Sequence, residues 1–238
     1  MKTPILEIDN LICGYDGQAV IKGISLVLQR GSVTGLVGPN GHGKTTLLRA
    51  ISGLIQLSSG SIRFKGEVVN GKEANLIVGK GIVHIPQGDL VFKEMTVEEN
   101  LLMGAYLPDA HARREERLNY VHGLFPKLKE RSTQIANGLS GGERRMLGVG
   151  RALMSNSELL LIDEPSLGLA PIIIDQIYDV IKELKTEGRT ILVVEENASR
   201  LMEIAEKIYL LDDGHIVWDG EGEDLMSNDV LMSTYLGG

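Results

Sequence analysis

The segment Gly38-Pro39-Asn40-Gly41-His42-Gly43-Lys44-Thr45 constrains this chain more than any other. It follows a β-type run, Val33 to Val37, and it opens the stretch Thr45 to Leu57, where Leu47, Leu48, Ile51, Leu54 and Ile55 recur at helical spacing. A strand that turns through glycines into a helix with Lys and Thr at its start is a phosphate cradle. Backbone N–H groups along such a loop point inward, and the helix presents its positive end to the bound anion. Lys44 is placed to neutralise the outer phosphates of a nucleotide, Thr45 to ligate a divalent cation, and the contacting stretch runs on to Thr46. This turn calls for an α/β chain in which a strand feeds a helix.

The remaining periodicities agree with that requirement. Ile5 to Ile8 and Val20 to Leu28 read as strands broken by Gly14, Gly17, Gly23 and Gly31, a β-rich opening that points to an antiparallel subdomain. Buried strands follow at Gly81 to Ile85, Leu159 to Ile162, Thr190 to Val194 and Lys207 to Leu211, with a hairpin turn at Asp212-Asp213-Gly214. Helical spacing takes over at Val97 to Tyr106, Ala110 to Leu124 and Gly141 to Met154. The expectation is one α/β domain over residues 1–238: a P-loop NTPase core of mainly parallel sheet, an N-terminal antiparallel β subdomain, and a helical lobe inserted at about 96–154.

Leu159-Leu160-Leu161-Ile162-Asp163-Glu164 is an apolar strand that delivers two carboxylates at its end. The pair suits two roles, with Asp163 in the shell of a Mg²⁺ ion and Glu164 orienting or deprotonating an attacking water. Hydrolysis is therefore expected, not binding alone. A net charge of -8 and only 4% aromatic residues argue against nucleic acid as the partner, since a binder of it needs a basic face and stacking rings. Apolar runs stop after about four residues, whereas a bilayer span needs about 20. With the single Cys13 and no basic or long apolar stretch at Met1 to Pro4, a reducing cytoplasmic setting is expected.

Upstream of Asp163 lies Leu139-Ser140-Gly141-Gly142-Glu143, in which Ser140 caps a helix and two glycines leave backbone N–H groups bare. Here the sequence resembles the ABC (ATP-binding cassette) ATPase family, whose signature is LSGGQ, and the resemblance spans essentially the whole chain. It implies ATP and Mg²⁺ as ligands and a head-to-tail dimer in which Ser140, Gly141, Gly142 and Glu143 of one subunit close over the ATP held by the other. It further implies that Tyr15 stacks on adenine, although a ring there also suits strand packing. Gln87, in Ile85-Pro86-Gln87-Gly88, matches the glutamine that reaches Mg²⁺ and the attacking water. Three residues depart from the family pattern: Glu143 for the signature glutamine, Ala170 for the aspartate of the dimer loop, and Glu196 for the switch histidine. A glutamate at neutral pH cannot donate to a γ-phosphate, which leaves the catalytic contribution of Glu196 open beside those of Glu164 and Gln87.

The segments Arg144-Arg145-Met146-Leu147, Pro165 to Pro171, Thr96 to Leu101 and Val193 to Ala198 are similar to those of branched-chain amino-acid importer ATPases. A lipopolysaccharide-export ATPase and a nucleotide sensor with little hydrolysis are the alternatives. The resemblance implies a second ATPase subunit (the same chain or a related paralogue), transmembrane permease subunits, an extracytoplasmic substrate-binding protein, and a location on the inner face of the membrane. Gly88 to Phe92, an apolar stretch beside Gln87 without core periodicity, is expected to line a groove for a short helix of the permease.

Overall fold

In a computed structural model, which describes residues 3–88, 90–226 and 231, the glycine-punctuated opening folds into long paired strands. β1 (Pro4–Tyr15) and β2 (Gln18–Gln29) run antiparallel with Ile8 opposite Leu26, joined by a turn at Asp16 and Gly17, whose φ angles are 50° and 79°. β3 (Val33–Val37) then leads through the glycine loop into α1 (Lys44–Ile51). That helix is shorter than the expected Thr45 to Leu57. Gly53 at φ 70° lets the chain turn: its N–H bonds to Ala50 O at 3.2 Å, and the N–H of Leu54 reaches Arg49 O at 2.9 Å, the paired bonds of a Schellman cap. Leu57 is thereby released to start β4 (Leu57–Phe64), a strand the helical spacing had concealed. It pairs with β1 and with β5 (Glu67–Val68), completing a four-stranded antiparallel sheet in the order β2-β1-β4-β5.

Beyond it come α2 (Ala74–Lys80) and β6 (Ile82–Ile85), then a helical stretch of α3 (Val97–Met103), α4 (Pro108–Ala112), α5 (Arg114–Leu124), α6 (Pro126–Glu130) and, after a 3-10 turn at Ala136–Gly138, α7 (Gly141–Leu153). The expected helix from Ala110 to Leu124 is two helices, because Arg113 at φ -110° closes α4 and opens α5. The chain continues through β7 (Leu159–Asp163), α8 (Pro171–Thr186), β8 (Thr190–Glu195), α9 (Ser199–Ile204), β9 (Lys207–Asp212), β10 (His215–Gly220) and α10 (Gly222–Met226). The second sheet has the order β10-β9-β3-β8-β7-β6, parallel except for the β9–β10 hairpin. That hairpin turns at Asp213 and Gly214, with φ of 41° and 79°, at the expected position.

Every residue of β3, β7 and β8 is buried, as befits parallel strands covered on both faces. Alternate side chains feed two cores. Val33, Val37, Leu160, Ile162, Ile191 and Val193 pack toward the helical stretch. Leu36, Leu159, Leu161, Leu192 and Val194 pack toward α1 and the antiparallel sheet. The register sets Val37 opposite Glu195 and Asp163 opposite Val194, so the glycine loop and three carboxylates leave the sheet side by side at its carboxyl edge. In open α/β sheets that edge is where ligands bind.

α3 approaches α7 so closely that a Cβ on Gly104 would stand 1.9 Å from the carbonyl oxygen of Arg151 and 2.9 Å from Met154 Cβ. Gly104→Ala is therefore expected to destabilise the fold by about 1–3 kcal/mol through overpacking. Urea unfolding should show a lower midpoint with an unchanged slope; an unaltered midpoint would mean the two helices can part without loss.

Candidate functional site

Residues 38–46 form a cradle whose geometry depends on its glycines. A Cβ on Gly38 would lie 2.1 Å from Leu211 O, and Gly43, at φ 109°, is the left-handed residue that starts α1. Lys44 is only 3% exposed. Its ammonium donates to Gly38 O at 2.8 Å, Pro39 O at 3.1 Å and Asn40 Oδ1 at 3.3 Å, and it lies 3.3 Å from Glu164 Oε1. Thr46 is buried and Thr45 half-buried beside it. Gly41, at φ 84°, is exposed. The next residue, His42, ties the loop to the β9–β10 turn: its Nδ1 lies 2.7 Å from Asp212 Oδ1 and 3.0 Å from the N–H of Asp213, and its carbonyl accepts from Gly214 N–H at 3.2 Å. The sequence marks Asp212 only as part of the hairpin turn, and it is that turn which brings it to the loop.

The carboxylates stand opposite the cradle. Glu164 is turned out of β7 at φ 44°, a conformation unfavourable for a residue with a side chain, and its N–H is held by Val194 O at 2.9 Å. Its side chain bridges Lys44 on one oxygen and accepts from Gln87 Nε2 at 2.6 Å on the other. Lys44, Gln87 and Glu164, widely separated in sequence, are thus in direct contact. Asp163 is fully buried with neither carboxylate oxygen accepting a hydrogen bond. Burial pushes its carboxyl above the ordinary value; the Thr45 hydroxyl favours the anion without reaching a bond of full geometry. Two orphaned anionic oxygens beside a threonine hydroxyl and the Gln87 amide are hard ligands, and they fit a small divalent cation.

Glu196 is exposed and accepts from Asn40 Nδ2 at 2.9 Å, so the carboxylate at the expected switch position does reach the phosphate loop. Its neighbour Glu195, which the sequence did not flag, is 4% exposed and accepts from Ser166 N–H at 3.0 Å, Ser166 Oγ at 2.8 Å and Tyr178 Oη at 3.0 Å. Burial raises its carboxyl above the usual range against the pull of those three bonds. It fixes the loop that follows Glu164. Tyr15 ends β1 40% exposed, its hydroxyl accepting from Arg49 Nη1 at 3.2 Å.

Ser140 and Glu143 explain one departure from the family signature. The Ser140 N–H and hydroxyl donate to Glu143 Oε2 at 2.9 and 2.8 Å, and Glu143 N–H donates back to Ser140 Oγ at 3.3 Å, a capping box that accepts Glu as readily as Gln. Burial disfavours the anion, but the Ser140 bonds and Arg131, with Nε 3.1 Å from Oε1, bring the Glu143 carboxyl below its usual value. Gly142 is needed because a Cβ there would meet Ile173 Cγ2 at 2.8 Å, whereas one on Gly141 would make only ordinary contact, 3.9 Å from Arg144 Nη2. Among the described residues no hydrogen bond or ion pair joins Ser140 to Glu143 with residues 38–46. The structure therefore brings Gln87, Glu164, Asp163, Glu196 and the phosphate loop together, and leaves the Ser140 segment apart.

The family model described as ABC transporter matches residues 21–167. The high-affinity branched-chain amino acid transport ATP-binding protein BraG of Pseudomonas aeruginosa is 43% identical over 98% of this chain and 100% of its own length. The probable branched-chain amino acid transport ATP-binding protein LivF of Archaeoglobus fulgidus is 34% identical over 98% of this chain and 99% of its own. The lipopolysaccharide export system ATP-binding protein LptB of Escherichia coli is 29% identical over 98% and 97%. Among solved structures, the ADP conformation of MJ1267, an ATP-binding cassette of an ABC transporter, superposes with a TM-score of 0.85 at 29% identity, covering 99% of this chain and 100% of that one.

An orphaned buried carboxylate costs stability, and the sign of its pH dependence follows from its raised value. The folded state holds the Asp163 proton more tightly than the unfolded chain, so stability is lost as pH rises through the folded value and the charge is a burden at neutral pH. In chelator-treated protein without nucleotide, Asp163→Asn is expected to raise the melting temperature at neutral pH by roughly 2–4 °C, about 1 kcal/mol for a chain of this size. The gain should shrink toward the ordinary carboxylate range. A lower melting temperature at every pH would show that the chain itself satisfies the carboxylate.

Proposed function

The chain belongs to the ABC transporter family and is the ATP-hydrolysing subunit of a transporter, and on that premise we propose that it powers branched-chain amino-acid import through the site built around Lys44, Glu164 and Gln87. One observation carries the mechanistic part: a single carboxylate, Glu164, is held between the loop lysine and Gln87, directly beside the orphaned Asp163. ATP lies with its phosphates in residues 38–46, where Lys44 exchanges Glu164 for the β/γ-phosphates, and its adenine stacks on Tyr15. Thr45, Asp163 and Gln87 would hold Mg²⁺, which would supply positive charge against the phosphates. Released from Lys44, Glu164 takes the proton of the attacking water. Gln87, already bonded to Glu164, orients that water.

Ser140, Gly141, Gly142 and Glu143 complete the site of a second ATPase subunit, either the same chain or a related one. In support, these residues cap α7 without any bond to their own phosphate loop, and the exposed side chains of Leu167 and Ile172 flank the segment after Glu164. The permease is received in a groove of 680 Å³ lined by Gln87, Leu90, Phe92, Met103 and Tyr106, whose four apolar side chains are 43–62% exposed. Arg151 braces it, with its guanidinium 5.0 Å from the Phe92 ring centre. Of the expected coupling stretch 88–92, Asp89 lies outside the described residues. No helix among the described residues is long and apolar enough to cross a membrane, so transport on this reading needs the permease; an extracytoplasmic binding protein supplies the cargo, and the ATPase sits on the inner face. Import of branched-chain amino acids, in preference to lipopolysaccharide export, is supported by 43% identity to BraG against 29% to LptB.

Glu164→Gln keeps the shape but loses the base. It should cut steady-state phosphate release by about 10²–10⁴-fold while accumulating a dimer with ATP that dissociates with ADP, read by size-exclusion chromatography. A variant that stays monomeric in saturating ATP contradicts the shared site.

At Glu196 a carboxylate about 4 Å from a γ-phosphate oxygen would cost roughly 4 kcal/mol at an effective dielectric of 20. The bond to Asn40 gives it another partner, so its charge is not required at the phosphate. Glu196→Gln, whose amide oxygen can still accept from Asn40, is expected to hydrolyse ATP at least as fast as the parent. A loss of about a hundredfold would make the carboxylate itself part of the chemistry.

A further inference from the structure

Arg145 projects from the second turn of α7, three residues after Gly142 and four before Val149, and all three lie on the buried face of that helix. It is 4% exposed. An arginine seldom occupies such a position unless its donors are met, because desolvating a guanidinium is expensive. Here two segments of backbone meet them. Nη1 donates to the carbonyls of Pro86 and Gly88, both at 2.8 Å, and Nη2 donates to the carbonyls of Asp163 at 2.6 Å and Glu164 at 2.9 Å.

The choice of carbonyls matters. Pro86 and Gly88 flank Gln87, and Asp163 and Glu164 form the peptide at which β7 turns out at φ 44°. The planar fork therefore grips the main chain on both sides of the bond from Gln87 Nε2 to Glu164 Oε2. Neither segment touches the other through the main-chain pairing of the sheet at these residues, since the β6–β7 register ends at Ile85 opposite Ile162. Past that last pair, the guanidinium takes over the task that ladder hydrogen bonds perform below it. It is also carried by α7, the helix that Ser140, Gly141 and Gly142 begin.

We infer that Arg145 is a positioning residue for ATP hydrolysis: it sets the separation of Gln87 and Glu164 and makes that separation follow the placement of α7. The inference rests on the assignment of Glu164 and Gln87 given above. It assigns Arg145 no contact with the nucleotide and none with the phosphate loop. Closure of a partner over the Ser140 end of α7 would then reach the hydrolytic groups through one rigid side chain.

Lysine keeps the charge but offers a point ammonium with three donors in place of a planar fork, so it cannot hold four carbonyls of two segments at once. The test compares Arg145→Lys, Arg145→Gln and Glu164→Gln with the parent in ATP turnover, in affinity and stoichiometry for a fluorescent ATP analogue, and in thermal melting. Both Arg145 variants are expected to bind one nucleotide per chain with an affinity within about threefold of the parent, while kcat falls about a hundredfold at little-changed KM, the mark of misplaced reacting groups. Turnover within about threefold of the parent in both variants overturns the inference, and so does a loss of turnover matched by an equal loss of nucleotide-binding sites, which would make Arg145 a support of the fold only. Glu164→Gln separates the two levels. If it is inactive while the Arg145 variants turn over normally, the site assignment stands and only the role of Arg145 fails; if it hydrolyses ATP at the parent rate, the site assignment fails and takes the role of Arg145 with it.

Discussion

A lysine ammonium at 3% exposure has to be compensated by its surroundings, and the arrangement around Lys44 organises the carboxyl edge of the sheet. Three oxygens of its own loop surround the cation, and the fourth contact is Glu164 from β7, two strands away in the order β3-β8-β7. That contact requires β3, β8 and β7 to end in register, which they do, with Val37 against Glu195 and Asp163 against Val194. It also requires Glu164 to leave its strand abruptly, and the positive φ of that residue is the local consequence. Backbone strain of order 1–3 kcal/mol is tolerable where a buried ion pair over-determines the geometry.

The same edge concentrates negative charge. Asp163, Glu164 and Glu195 are each no more than 5% exposed, and burial raises the carboxyls of Asp163 and Glu195. The three are not treated alike. Glu195 is given three donors and becomes structural, pinning Ser166. Glu164 is given a cation and an amide, both of which suit exchange for phosphate and water. Asp163 alone is left with orphaned oxygens, and a divalent cation is the partner such oxygens suit. The graded satisfaction distinguishes the three carboxylates more sharply than residue type does.

How much of this could be read in advance depends on whether the signal was local. The phosphate loop, the carboxylate pair after Leu159 to Ile162 and the cap at Ser140 are each written in consecutive residues, and the structure places all of them where strand ends and helix starts demand. β4 was hidden because Leu54 and Ile55 continue the helical spacing of α1, while a single glycine, Gly53, stops the helix. The break at Arg113 has no glycine or proline of its own to announce it, and Pro108 marks only the start of α4. Glu195, Asp212 and Arg145 stood only within longer segments, without roles of their own, because their partners are Ser166 and Tyr178, His42, and the carbonyls on either side of Gln87 and Glu164, all distant in sequence. Arg145 did carry one legible signal, a charge at helical spacing from Gly142 and Val149 on an otherwise apolar face.

Glu143 illustrates how a departure from a family pattern can be absorbed without changing the site it belongs to. An anion at the start of α7 would be attracted by the helix dipole, and a second carboxylate placed there would work against it. The capping box, however, directs the Glu143 carboxylate back onto Ser140, using the amides of Ser140 and Glu143 and not those of Gly141 and Gly142. Arg131 then meets the other oxygen at 3.1 Å, so the added negative charge is matched within the same chain. What remains at the helix start is a pair of glycines, and at Gly141 a Cβ would come no nearer than 3.9 Å to the side chain of Arg144. A phosphate arriving from another subunit would therefore meet backbone donors and a neutralised pair, much as it would beside a glutamine. By the same reasoning Arg131 belongs with Glu143: the Ser140 bonds come first in holding the carboxylate, and the guanidinium behind it, with a contribution from Lys127, offsets the charge that the exchange of an amide for a carboxylate adds.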